Sequence, residues 1–423
     1  MGWKQAFSLS VLALASCSGG EPAPRVAAPM APSPNAPPTL TSSSAITISE
    51  NAIGSIYSLT ASDTDGTITR LSLLPSADAS FFAFDASTGV LSLPARLSFD
   101  APADAGANNV YDLSFEAQDN DGAIATLALQ ITVAEAALKA GLPPSGNFEL
   151  IDWRLELPVD SAGNPSGLNA TIQEAELSNG FENDFFFTGP DGGMVMKAPI
   201  EGAKTPNSSY VRSELREMLR RGDTSINARG AGDIPNENNW ALSSQPAAAQ
   251  ANAGGIDGVL RVTMAVNNVT TTGSSGQVGR VIIGQIHAKD DEPIRLYYRK
   301  LPLNTNGSIY AEHEISGGAD VRFEIVGDSA NNAGNPINGI PLDQQFTYEI
   351  IAVGNLLTVK IYNDAGTLIG MRDIDMSASG YDVLNDFMYF KAGAYHVNNT
   401  ASADEFVQLT IYELSNSHYG YPF

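Results

Sequence analysis

Short runs in which apolar residues recur at every second position, each closed by turn residues, fill this chain from Ala45 onward. Examples are Ile46-Thr47-Ile48, Val90-Leu91-Ser92-Leu93 and Leu127-Ala128-Leu129-Gln130-Ile131-Thr132-Val133. Period-two spacing places alternate side chains on opposite faces of an extended strand, so the chain is restricted to β architecture. The 39 glycines and 24 prolines among 423 residues supply the turns such a fold needs. The fold class expected is all-β.

Two segments poor in this pattern divide the chain. Residues 18–43 are rich in Pro, Ala and Ser and read as a linker. Residues 136–147, with Gly141, Pro143, Pro144 and Gly146, read as a second one. Between them, residues 44–135 form a first β-sandwich of about seven strands. Residues 148–423 form a larger one, opened by Trp153-Arg154-Leu155-Glu156-Leu157-Pro158. The net charge of −24 argues against a nucleic-acid partner. A single cysteine excludes intrachain disulfides and Cys-rich metal sites.

That cysteine closes an export signal. Lys4 supplies the positive start and Ala6 to Ala15 a short apolar stretch, too short for a permanent span. Leu14-Ala15-Ser16-Cys17 resembles the lipobox of bacterial lipoproteins. The resemblance implies cleavage after residue 16, lipidation of Cys17 and a stable membrane anchor. With Ser18 following, it implies the outer membrane.

Residues 44–135 carry 12 acidic and 2 basic side chains, a net of −10. Glu50-Asn51-Ala52, Asp63-Thr64-Asp65-Gly66, Phe84-Asp85 and Asp119-Asn120-Asp121-Gly122 resemble the words of a cadherin-like repeat. The resemblance implies calcium at Glu50, Asp63, Asp65, Asp119 and Asp121, because Ca²⁺ takes about six to eight oxygen ligands. Only one repeat is visible, whereas that family builds its sites between consecutive repeats. The alternative is that these acids only cap turns.

Three segments of the second domain carry polar rows at period two. Arg212, Glu214 and Arg216 share one face of a strand spanning 210–218, with Val211 and Leu215 behind. Gln285 and His287 share a face, with Ile286 behind. Tyr389, Lys391, Gly393 and Tyr395 share a face, with Phe390 and Ala392 behind. Local propensity alone favours a helix at 213–221, where Arg and Glu would pair along one side.

Together the rows resemble the signature blocks of polysaccharide lyase family seven, the alginate lyases. The blocks are Arg212-Ser213-Glu214-Leu215-Arg216, Gln285-Ile286-His287 and Tyr389-Phe390-Lys391-Ala392-Gly393-Ala394-Tyr395, in the family's order. The resemblance covers about residues 148–423 and implies a β-jelly roll of two curved antiparallel sheets. It implies that 210–218 is a strand, that Arg212, Gln285, His287 and Tyr395 are catalytic, and that Glu214, Arg216 and Lys391 support substrate. After Tyr395 the family commonly continues Asn-Gln, where this chain has His396-Val397.

The implied reaction is β-elimination on alginate, breaking the uronate C4–O bond and leaving unsaturated oligouronates. No catalytic cofactor is needed. A guanidinium and an amide suit the uronate carboxylate, a neutral imidazole suits a base, and a phenol suits an acid. Ile286 between Gln and His tilts the expected substrate toward guluronate-containing blocks. Arg212, Arg216, Arg220, Arg221, Lys289, Arg299, Lys300 and Lys391 are expected to form a basic stripe on a domain whose net charge is −16. The partners expected are alginate, its oligomers and the membrane, with the protein a monomer. Two other classes stay open: a non-catalytic carbohydrate-binding protein on the same scaffold, and a glycoside hydrolase of an acidic polysaccharide.

Overall fold

The computed structural model describes residues 34–421, except 51, 53, 100, 101, 207 and 229. The signal segment and Cys17 lie outside the described residues.

A four-stranded sheet joins Ala45–Ser49, Ile124–Ala134, Val110–Asp119 and Ile68–Leu73 in that order. A three-stranded sheet of Gly54–Ser58, Val90–Leu93 and Ala83–Asp85 completes the first sandwich. Alternation along these strands buries Leu91, Leu93, Tyr111, Phe115, Leu129 and Ile131 in one core. Four of the five acids considered for calcium accept hydrogen bonds from backbone N–H groups. Asp119 accepts from the Asp121 and Ala123 N–H groups at 2.9 and 2.8 Å, and from Asn35 Nδ2 at 2.9 Å. Glu50 accepts from the N–H groups of Ala136 at 2.8 Å and Phe99 at 3.2 Å. Asp63 accepts from the Asp65 N–H at 3.3 Å, and Asp65 from the Ala36 N–H. Among the described residues no three carboxylates, histidines or cysteines gather as a cation site.

The second unit is a jelly roll of two packed sheets. The first runs in the order Thr171–Ile172, Trp153–Glu156, Val211–Glu217, Tyr389–His396, Arg280–His287, Ile294–Arg299, Asn306–Glu314, Asp320–Val326. The second is centred on Phe406–Tyr419, Ala253–Asn268 and Phe346–Val353. Between them lies a core that includes Leu155, Leu215, Ile283, Ile286, Phe390, Ala392, Tyr348 and Leu409. Burying each large apolar side chain of this kind contributes about 1.5–3 kcal/mol.

Residues 211–217 form a strand, against their local helix propensity. Val211 and Leu215 reach the core, at 1% and 0% exposure. The strand is hydrogen-bonded on both sides, by Trp153–Glu156 and by Tyr389–His396. Two flanking ladders and a filled core outweigh the few tenths of a kcal/mol per residue that separate good from ordinary helix formers.

Candidate active site

Three neighbouring strands carry the polar rows on the face turned away from the core. Arg212 stands opposite Tyr395, Glu214 opposite Gly393 and Arg216 opposite Lys391. On the other flank of the tyrosine strand, Gln285 pairs with Lys391 and His287 with Tyr389. A bulge between Ile282 and Gly284 shifts the register there. Ile283 is thereby sent to the core, and Gln285 and His287 emerge beside the other two rows.

Glu214 is the hub. It is fully buried, and its Oε1 accepts a hydrogen bond from Gln285 Nε2. Its Oε2 takes Arg212 Nη1 at 2.9 Å and Lys391 Nζ at 2.7 Å. Glu156, from the opening strand, sits opposite Glu214 and holds Lys391 Nζ at 3.0 Å and Arg212 Nη1 at 3.7 Å. Arg154, Arg212, Arg216 and Lys391 against Glu156 and Glu214 leave the face two positive charges in excess.

These charges settle one another's protonation. Burial pushes the Glu156 carboxyl up, but Lys391, Arg212 and Arg154 prevail and hold it at about 2. Burial and Arg212 press the Lys391 ammonium down, yet Glu156 and Glu214 raise it overall. Burial likewise opposes the Arg212 charge, and Glu214, Tyr395 and Glu156 more than offset it. Arg216 is lowered to about 10 by burial and by Arg154. The cations therefore stay charged at neutral pH, and neither Glu156 nor Arg212 can exchange a proton there.

Tyr395 lies against Arg212, with the guanidinium carbon 3.7 Å from its ring centroid. Its hydroxyl is 3.0 Å from Ser208 Oγ, which also accepts from Arg212 Nη2 at 3.3 Å. His287 stacks on Tyr389 at 5.0 Å, and Arg216 covers the same tyrosine at 4.0 Å. His287 Nδ1 is 2.6 Å from the Ala288 carbonyl oxygen. A carbonyl only accepts, so Nδ1 carries the proton and Nε2 keeps its lone pair. Burial first, then Lys391, depress this imidazole to about 4, with Arg212 and Arg216 adding to the effect and the Ala288 carbonyl opposing it. At neutral pH His287 is an uncharged base, and its side chain remains 26% exposed.

All seven residues singled out on these rows stand on one face of three adjacent strands. The broader basic stripe does not form as expected. Arg220 is taken by Glu174, Arg221 by Glu149 at 2.7 Å, and Arg299 by the Ser329 carbonyl. Arg220 and Arg221 follow the strand end, where the chain turns away from the row. The residues missed were Arg154, Glu156, Ser208 and Glu292. Arg154 and Glu156 alternate with Trp153 and Leu155, a period-two signal that does not reveal which row they join. A cavity of about 1100 Å³ lies between the two cores beside Arg96, Phe148, Asp152 and Tyr412, and none of the three blocks lines it.

Residues 148–418 match the family model Alginate_lyase2, alginate lyase. An alginate lyase from Klebsiella pneumoniae is 47% identical over 306 residues, covering 70% of this chain and 96% of the relative. The crystal structure of the alginate lyase from Klebsiella pneumoniae superposes with a TM-score of 0.62 at 47% identity, over 65% of this chain and 98% of that one. Alginate lyase A1-II', a member of polysaccharide lyase family-7, is 26% identical over 66% of this chain and 99% of its own, with a TM-score of 0.46.

Proposed function

This chain belongs to the alginate lyase family, and from that premise we propose that it cleaves alginate by β-elimination on the face built around Glu214. The carrying observation is that one buried carboxylate holds Arg212, Gln285 and Lys391 side by side, with Tyr395 packed on Arg212. A uronate carboxylate meeting Arg212 and Gln285 loses much of its charge, so the C5 proton becomes easier to remove. The same contacts strengthen as negative charge moves onto that carboxylate, which lowers the barrier rather than only binding substrate.

His287 Nε2 takes the C5 proton. The electron pair left on C5 forms the C4–C5 double bond, the C4–O bond breaks, and Tyr395 protonates the leaving oxygen. In guluronate the C5 hydrogen and the C4 oxygen lie on opposite sides of the ring, which suits one group for each task. Guluronate-containing blocks are therefore the substrate proposed. In mannuronate they share a side, which suits Tyr395 in both roles. The overall charge of the domain does not prevent this. Long-range repulsion is screened within about 8–10 Å at physiological salt, whereas the local excess of two positive charges acts at contact.

A hydrolase built on the carboxylates of this face is disfavoured, because one of the two would have to be protonated at working pH. Glu156 is held at about 2 and Glu214 is ion-paired to Lys391. The test is to mix the protein with alginate and follow ultraviolet absorbance. A rise reports the conjugated double bond of an unsaturated product. Saturated reducing ends, or binding without any rise, would sink the proposal.

Attachment to a membrane is proposed as well. Cys17 is lipidated, the Pro/Ala/Ser-rich stretch spaces the folded units from the outer membrane, and the first sandwich is a cadherin-like domain of a monomeric protein. These rest on the lipobox and on the acidic turn words. Incorporation of a labelled fatty acid by the wild type but not by Cys17→Ala would support the anchor, and equal labelling of both would refute it.

A further inference from the structure

His287 ends its strand, and the loop that follows turns back against it. In that loop Glu292 Oε1 lies 3.4 Å from His287 Nε2, the lone-pair nitrogen. Glu292 is held in turn by its surroundings. Its Oε2 is 3.9 Å from Arg295 Nη1, and its N–H donates to Glu314 Oε2 at 3.3 Å. Arg295 also reaches Glu314 at 3.7 Å and is ion-paired to Asp320. Tyr381 donates to the Glu314 carbonyl at 2.7 Å. Three carboxylates, one guanidinium and the imidazole base thus form one contiguous group at the edge of the catalytic face.

We propose that Glu292 is a positioning residue for His287 that receives the substrate proton from Nε2, with Glu314 and Arg295 holding it in place. The inference rests on the elimination reading and deepens it. The balance is simple. The C5–H bond breaks and an Nε2–H bond forms, giving an imidazolium. Nε2–H then breaks and the proton forms an O–H bond on Glu292 Oε1, returning His287 to its neutral form for the next turnover. No oxidant or co-reactant is consumed, and the proton leaves to solvent from a side chain that is 23% exposed. At 3.4 Å the transfer needs a small approach of the two side chains, or one bridging water.

Two features favour a relay over a fixed ion pair. Burial first, then Lys391, Arg212 and Arg216, make a lasting charge on His287 unfavourable, so the imidazolium readily gives up its proton. Burial and the neighbouring Glu292 side chain raise the Glu314 carboxyl to about 7, against the Glu292 N–H and Arg295, so near neutrality Glu314 is close to half-protonated. A carboxyl in that state, in contact with Glu292, can both accept and release a proton.

The test uses the full-length chain. Glu292→Ala is expected to lower kcat on polyguluronate roughly tenfold or more, less than the ~10²–10⁴-fold of a group that itself transfers the substrate proton. KM should stay within about twofold. Added acetate, a small soluble proton acceptor, should restore part of kcat, and Glu292→Asp should retain more activity than the alanine variant. The loss on polyguluronate should exceed that on polymannuronate. A loss that acetate does not rescue, or one confined to KM, overturns the relay and leaves only a structural role. Unchanged kcat with an active wild type overturns the inference alone. A wild type that forms no unsaturated product from either polymer overturns the elimination reading and the inference together.

Discussion

The Lys391 ammonium lies 2.7 Å from Glu214 Oε2, and both side chains are withdrawn from water, at 3% and 0% exposure. One buried anion thereby sets the position of a cation that stands opposite Arg216 and Gln285.

Glu214→Gln keeps the shape and removes the charge. Lys391 and Arg212 are then left with Glu156 as their shared anion. Breaking a buried pair in this way costs about 3–5 kcal/mol. The expected outcome is a lower urea midpoint together with a large fall in kcat. An unchanged midpoint would show that Glu156 alone suffices.

Tyr395→Phe removes one hydroxyl and leaves the ring that packs on Arg212. The variant should give a wild-type circular dichroism spectrum and melt. Its turnover should fall by about 10²–10⁴, the usual worth of a proton-transferring group. Turnover within a fewfold of wild type would refute its role as the acid.

The pH dependence follows from His287, whose imidazole is lowered from 6.5 to about 4. The base is neutral down to that region, so kcat/KM on polyguluronate should show no loss near pH 6.5. Its acid limb should appear near 4. For stability the sign is opposite to that of a raised histidine. The unfolded chain binds the proton first, so stability falls as pH drops from 6.5 toward 4. A limb at 6.5 would mean that the imidazole is solvated and unperturbed.

Gly393→Ala tests how closely the strands approach. A Cβ there would lie 2.7 Å from the Ser213 carbonyl oxygen and 2.8 Å from Glu214 Cα, at a φ of +144°. Relieving the clash must push the arginine strand from the tyrosine strand. A destabilisation of about 1–3 kcal/mol, with loss of activity, is expected in equilibrium unfolding and rate measurements.

Much of this was legible beforehand. Val211, Leu215, Ile286, Phe390 and Ala392 are core residues, and Arg212, Glu214, Gln285, His287, Lys391 and Tyr395 face the other way, as period two requires. Alternation is a property of the covalent backbone, so each strand carries it independently. The helix propensity of 213–221 was legible too, but it misled. A few tenths of a kcal/mol per residue cannot compete with two ladders and a core.

Partnership was not legible. Lys391 meets Glu156 across 235 positions of chain, and Gln285 meets Glu214 across 71. Arg221, only five residues from Arg216, ends on Glu149 instead. The chain by itself determined which residues could face a substrate, because strand geometry is local. Only the tertiary structure decided which charges are paired, how far His287 is depressed and that Glu292 reaches it. Register, burial and desolvation are collective properties of strands brought together from distant parts of the sequence.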